Sequence, residues 1–287
     1  MKRIIFTFVI ILAALARQGW AAPVPTRFHN EAADTARIND ILSETVARQY
    51  NSPGERTADI AMRFIGTTYV AHTLEGEEEQ LTVNLDELDC TTFVETVMAL
   101  SLTAGEHRTT WHDYIYNLAR LRYRGGEVNG YASRLHYISD WAIDNIHRGN
   151  FREVTSNFPS AAYLVRTIDF MSANRDKYPA LADDSQYERM RSVEIGYRNH
   201  RFPYIKTSDL GKKATMAALR DGDIVALVTK MKNLDVTHMG VIIKKDGVPY
   251  LLHASSSLGK VVLTTVPLAD FMKKNPSLAG IRVFRLE

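Results

Sequence analysis

The stretch THMGVIIKKDGVPYLLHASS, Thr237 to Ser256, constrains the fold more than any other part of the chain. Two apolar runs flank Asp246-Gly247, and a two-residue hairpin turn needs positive φ at both central positions, which Asp-Gly supplies. Such a turn fixes the pairing on either side of it. Lys245 falls opposite Val248, Ile242 opposite Leu251, Gly240 opposite His253 and His238 opposite Ser255. Opposed residues share a face of the sheet, as do residues two apart, so His238, Gly240, His253 and Ser255 are predicted on one side. The two imidazoles become diagonal neighbours, about 7 to 8 Å apart at the backbone. The missing side chain of Gly240 leaves the ring of His253 space to lean toward His238.

More strands surround this hairpin. Residues 223–229, 238–244, 248–254, 260–264 and 280–286 are short, β-branched runs separated by turns. The N-terminal half has helical spacing instead, with Ile38, Ile41, Leu42 and Val46 marking a helix within 31–50. Ser52-Pro53-Gly54-Glu55 opens a second helix, running to about residue 65. Residues 68–74 and 80–85 read as short strands around the acidic turn Glu75 to Glu79. Helices are expected at 110–123 and, capped by Ser139, at 140–148, while 150–205 mixes short apolar runs with loops. Helices first and strands last, without alternation, predict an α+β domain rather than a doubly wound sheet.

The chain has one cysteine, and its position is unusual. Asp89 is a good N-cap, and Cys90, Phe93, Val94, Val97, Met98 and Ser101 then share one helix face, headed by the thiol. Ile242 and Leu251, on the histidine face, offer a surface on which Phe93, Val94 and Val97 can pack, which would carry Cys90 to the histidine end of the hairpin. A thiol at a helix N-terminus beside a protonated imidazole has its pKa lowered, although Asp89 opposes this. His238 would then serve as base and acid, and His253 would orient it. Two other readings stay open at this level: a buried, inert thiol, and a zinc site of Cys90, His238 and His253, for which no close-spaced ligand pair is present.

The N-terminus bears on the compartment. Lys2 and Arg3 precede the apolar run Ile4 to Ala16, and Gly19-Trp20-Ala21 offers small residues where a signal peptidase cuts. Residues 1–21 are expected to be a signal peptide and 22–30 a flexible leader, followed by a single catalytic domain over 31–287. The apolar run is too short for a spanning helix and no cysteine is near the cut, so no stable membrane anchor is expected. A periplasmic or secreted protein, a monomer, follows. Of 35 basic and 33 acidic residues the signal carries Lys2, Arg3 and Arg17, so the mature charge is near zero and the electrostatic case for nucleic-acid binding is lost. No cofactor is expected.

Asp89-Cys90-Thr91-Thr92-Phe93-Val94, Asp221-Gly222-Asp223-Ile224-Val225, His238-Met239-Gly240-Val241-Ile242 and Leu252-His253-Ala254, in that order, resemble the motifs of the NlpC-type papain-like cell-wall hydrolases. Gly66-Thr67-Thr68-Tyr69-Val70 resembles the segment before the nucleophile in that family. The resemblance implies Cys90 as nucleophile, His238 as base and His253 as the group orienting it, in a papain-like core of N-terminal helices on a C-terminal antiparallel sheet. Two departures stand out: Thr91-Thr92 replaces the usual Ser-Gly, and 148 positions separate Cys90 from His238. The latter implies a large insertion, an inserted lobe at about 105–205. The run Tyr131 to Trp141, Leu234 to His238 and the ending His253-Ala254-Ser255-Ser256 resemble one branch, formerly a domain of unknown function and described as N-acetylmuramoyl-L-alanine amidase-like.

That branch implies cleavage of the amide between the lactyl group of N-acetylmuramic acid and L-alanine, in peptidoglycan fragments such as anhydro-muropeptides. The Cys90 N–H and the Tyr69 hydroxyl would bind the oxyanion. Arg134 is a candidate for substrate carboxylates and Tyr137 or Trp141 for the sugar, with His136, Asp235 and Ser255 as further binding candidates. Equally, Tyr137 and Trp141 can pack a helix and Arg134 can be a solvated charge. Alternatives are a stem-peptide endopeptidase of the same superfamily and a non-catalytic wall-binding protein.

Overall fold

The computed structural model describes residues 24–287. The expected signal segment, 1–21, lies outside the described residues. A ten-stranded sheet organises the molecule. From one edge its strands are Glu87–Leu88, Thr68–Tyr69, Lys260–Leu263, Val248–Ser255, Val236–Lys245, Ile224–Thr229, Leu278–Arg285, His200–Lys206 and Ala161–Arg166, with Arg152–Glu153 paired to the end of Leu278–Arg285. All neighbours are antiparallel except the first two, which are parallel.

Period-two alternation sorts the sheet residues into two cores. On one face Ile224, Ala226, Met239, Val241, Leu252, Ala254 and Val261 pack with four helices, Glu31–Val46, Pro53–Met62, Cys90–Gly105 and Trp111–Arg122. On the other, Val225, Leu227, Ile242, Leu251, Ile281 and Val283 pack under the short helix Leu268–Lys273. The Cys90 helix is buried nearly all round because it runs between the sheet and the other helices. Its apolar residues therefore meet Met239, Val241 and Leu252, not Ile242 and Leu251 as the sequence suggested. Those two point away from it, since one step along a strand reverses the face.

Asp246 and Gly247 have φ of 51° and 80°, and the pairs Lys245 with Val248 and Ile242 with Leu251 form as the turn requires. The paired positions stop at Val241 with Leu252, short of the histidines. Beyond that point the Val248–Ser255 strand is held by Lys260–Leu263, with His253 opposite Val262. Val236–Lys245 is held by Ile224–Thr229, where the register jumps from His238 opposite Leu227 to Val236 opposite Val228. Thr237 is the extra residue of that bulge, a device that re-aims neighbouring side chains.

Three further expectations are corrected. The stretch 22–30 is not a free leader over its described part: Thr26–Phe28 forms a parallel pair with Leu81–Val83, and Phe28 packs edge-on against Trp111 at 5.6 Å. Residues 68–74 and 80–85 do not pair with each other; Thr68–Tyr69 joins the large sheet instead, and Leu81–Val83 takes Thr26–Phe28 as partner. The region 105–205 is not one lobe, since Trp111–Arg122 belongs to the helical layer and three strands, Arg152–Glu153, Ala161–Arg166 and His200–Lys206, join the sheet. What remains builds a small third core of Tyr131, Tyr137, Ile168, Met171, Met190 and Tyr197. The helix expected from 140 is Ile138–His147, and the Ser139 N–H is capped by Asp235 Oδ2 at 2.6 Å. The Ser139 side chain accepts a bond from Arg282 instead of capping. No helix among the described residues is long and apolar enough to cross a membrane.

Candidate active site

Asp89 and Thr92 close a reciprocal cap on the Cys90 helix. The Asp89 carboxylate accepts from Thr92 N–H at 2.8 Å, and Thr92 Oγ1 accepts from Asp89 N–H at 2.9 Å. Cys90 is thereby fixed as the first helical residue, half-buried. The parallel pairing of Tyr69 with Leu88 brings Tyr69 alongside. The sulfur faces the backbone N–H of Met239, next to His238 in the sequence, and lies 4.0 Å from Thr91 Oγ1. Burial, and after it the charge of Asp89, pushes the thiol up to about 12 in spite of these donors. The lowered pKa expected from the helix terminus and a cationic imidazole is thus reversed, because burial and Asp89 outweigh the donors to the sulfur. Burial, then the neighbouring ring of His253, holds His238 down at about 3.

His238 Nε2 and His253 Nδ1 are hydrogen-bonded at 2.7 Å, with the rings nearly perpendicular at 88°. The two strands have parted here, so the contact is made by side chains and not by a continued ladder. Gly240 is required for it. A Cβ there would lie 2.6 Å from Leu252 O and 3.1 Å from His253 Cβ. Phe271 stands edge-on to His253 at 5.4 Å; burial pushes His253 down to about 4.

One cavity is lined by the histidine pair and another by the residues that flank the thiol. The first, of about 490 Å³, is lined by Thr237, His238, His253, Ser255, Phe271 and Leu278 among others. The second, of about 150 Å³, is lined by residues on either side of Cys90, Asp89 and Thr91, with Glu95, Arg122, Arg134 and His136.

The remaining sequence candidates divide between these cavities and the interior. The Tyr69 phenol is half-buried, its proton held more tightly by burial and then by the charges of Cys90 and Asp89. Arg134 reaches the smaller cavity but is neither solvated nor free, since Glu75 at 2.8 Å and Glu79 at 3.5 Å meet its charge and Tyr131 lies under it. His136 lines the same cavity; its Nε2–H donates to Tyr131 O at 2.9 Å, and burial followed by the Arg134 charge depresses it to about 3. Tyr137 and Trp141, 2% and 1% exposed, reach neither cavity. The Tyr137 hydroxyl donates to Glu194 and accepts from Met171 N–H, and Trp141 packs with Phe151 and Phe284. Asp235 is buried as the cap of Ser139 and Val236 N–H groups. Ser255 lines the larger cavity, where its hydroxyl accepts from Leu258 N–H.

Sequence reasoning missed Phe271 and the Met239 N–H. Pro267 directly before Leu268–Lys273 was a legible helix-start signal for the first. The second depends on where the ladder stops, which no local pattern encodes. Among the described residues no group of three or more His, Cys, Asp or Glu gathers to hold a metal ion.

The profile of the AmiA-like family, described as N-acetylmuramoyl-L-alanine amidase-like, matches residues 59–281. No curated protein matches the chain. Among solved structures, an N-acetylmuramoyl-L-alanine amidase from Bacteroides uniformis is similar at 36% identity and a TM-score of 0.75, over 82% of this chain and 99% of that one. A Bacteroides fragilis protein assigned provisionally as a xylanase is 36% identical, with a TM-score of 0.73, over 79% of this chain and 100% of its own. A Legionella pneumophila protein shares the fold at 22% identity and a TM-score of 0.71, covering 90% of this chain and 97% of that one. A profile spanning most of the chain, together with more than a third identity over nearly the whole length of a solved amidase, settles the assignment: the chain belongs to the AmiA-like, N-acetylmuramoyl-L-alanine amidase-like family.

Proposed function

We propose that the protein is a papain-like cysteine amidase that cleaves the N-acetylmuramoyl-L-alanine bond of peptidoglycan fragments. The observation that carries this reading is the thiol at a capped helix start, facing the backbone N–H of Met239, the residue that follows His238 of a histidine pair bonded at 2.7 Å. When His238 Nε2–H donates to His253 Nδ1, the lone pair of the His238 base sits on Nδ1, which is the tautomer a thiol requires. The Cys90 sulfur attacks the lactyl carbonyl while its proton passes to His238. The oxyanion is bound by Cys90 N–H and the Tyr69 hydroxyl. The C–N bond then breaks, His238 returns the proton to the departing alanine nitrogen, and water hydrolyses the thioester to a free carboxylate.

A wall-fragment substrate fits the family, and an export signal at residues 1–21 would place the enzyme outside the cytoplasm, where such fragments arise. Incubation with N-acetylmuramoyl-L-alanyl stem peptides, with products weighed by mass spectrometry, tests the reading. Release of the sugar acid and an intact stem peptide by the wild type, and not by Cys90→Ala, is expected. A cut within the stem makes the protein an endopeptidase, and equal turnover by Cys90→Ala removes the mechanism.

A further inference from the structure

Resting on the amidase reading, we propose that the larger cavity, beyond the histidine pair, receives the amine half of the substrate, the stem peptide, and that Phe271 sets which first residue fits there.

The argument starts from the proton. In the step that breaks the C–N bond, His238 delivers its proton to the nitrogen that leaves, so the leaving half must extend over the imidazole side of the thiol. His238 and His253 both line the cavity of about 490 Å³, whereas the residues flanking Cys90 line the one of about 150 Å³. Size agrees as between these two, because ligand pockets run from about 300 to 1,000 Å³ and the first reaches that range while the second does not.

Charge points the same way. A stem peptide carries carboxylates. The smaller cavity sets Glu75, Asp89 and Glu95 against two guanidiniums, and Glu95 is the ion-pair partner of one of them while Glu75 holds the other. The larger cavity has no acidic or basic wall residue apart from the histidines; Thr237, Ser256 and Thr265 offer hydroxyl donors over an apolar floor of Val262, Phe271 and Leu278. Hydroxyls can bond a carboxylate there without a competing negative charge. Phe271, edge-on to His253 at 5.4 Å, occupies the floor behind the group that steadies the base, where the side chain of the first departing residue must rest. A small residue such as alanine fits against a ring so placed.

The test compares two substrate series for the wild type and Phe271→Ala. One series holds the N-acetylmuramoyl group and changes the first amine residue from alanine to leucine; the other holds the stem peptide and replaces N-acetylmuramoyl with lactoyl. Because Phe271 touches His253, absolute rates fall for all substrates and only the ratios are diagnostic. The leucine-to-alanine ratio of kcat/KM is expected to rise by roughly tenfold or more, with the acyl ratio unchanged. A change in the acyl ratio alone puts the sugar in this cavity and overturns the inference while leaving the amidase intact; no cleavage of that bond by the wild type overturns the amidase reading itself. Should Phe271→Ala not fold, Cys90→Ala protein is titrated by NMR with free stem peptide and with N-acetylmuramic acid. The peptide is expected to shift Thr265 and Phe271, and N-acetylmuramic acid doing so instead contradicts the proposal.

Discussion

At the scale of single residues, Cys90 rests as a neutral thiol. Burial and then Asp89 push it up to about 12, while His238 stays neutral down to about 3, so in the proposed mechanism the proton moves only as the carbonyl is attacked. A thiol below its pKa reacts through a thiolate fraction that grows tenfold with each pH unit. Alkylation of Cys90 by iodoacetamide, followed by intact mass, should therefore accelerate roughly tenfold per unit between pH 6 and 9. A flat rate over that window indicates a preformed thiolate–imidazolium pair. Asp89→Asn keeps a capping oxygen and removes the charge, and should raise the rate throughout. On the acid side the lowered pKa of His238 keeps the base neutral, so kcat/KM should hold from pH 7 to 5; a fall centred near about 6.5 means an unperturbed histidine. His253→Ala removes the side-chain partner of His238 Nε2, the proposed base, and should lower kcat/KM by roughly 10² to 10⁴.

At the scale of elements, the histidine hairpin shows what a sequence can and cannot convey. Asp246-Gly247 carries its own physical reason, and the register follows from it as far as Val241 opposite Leu252; the pairs expected beyond, Gly240 with His253 and His238 with Ser255, do not form. Gly240→Ala would force a Cβ to 2.6 Å from Leu252 O and should cost about 1 to 3 kcal/mol in urea unfolding, besides parting the histidines. Unchanged stability would mean the strands have room that the structure does not show. The helix start at Cys90 was equally legible, since Asp89 and Thr92 are neighbours in the chain. Which sheet face that helix covers was not, because Ile242 and Val241 are both apolar and pattern alone does not say which of two buried faces meets the helix. The strands expected at 68–74 and 80–85 form, cut down to 68–69 and 81–83, and their partners, Lys260 and Thr26–Phe28, were not legible because they are remote in sequence.

At the scale of the whole molecule, the long segment between Cys90 and His238 is held to the Cys90 helix by buried charge. Arg122 Nε donates to Glu95 at 2.6 Å and Nη1 to Thr82 O, all in the interior beside the smaller cavity. Arg122→Met leaves Glu95 buried and unpaired and should cost about 3 to 5 kcal/mol, most of it recovered when Glu95→Leu is added; urea unfolding of both variants checks this, and an equally unstable double variant refutes it. Such pairings explain why Arg134, Tyr137, Trp141 and Asp235 were hard to place from sequence. Their partners Glu75, Glu194, Phe284 and Ser139 are distant in the chain, so a polar or aromatic residue bonded inside a core reads the same as one offered to a ligand. Cys90, His238 and His253 were easier to place because each sits on an element whose start or turn is signalled locally. Their joint chemistry is tested most directly by acid-quenching the enzyme with an N-acetylmuramoyl-L-alanyl peptide in the first turnovers and mapping the protein by mass spectrometry. An N-acetylmuramoyl adduct on the peptide bearing Cys90, formed as stem peptide is released, is the predicted result; product formation with Cys90 unmodified, and undiminished in Cys90→Ala, contradicts it.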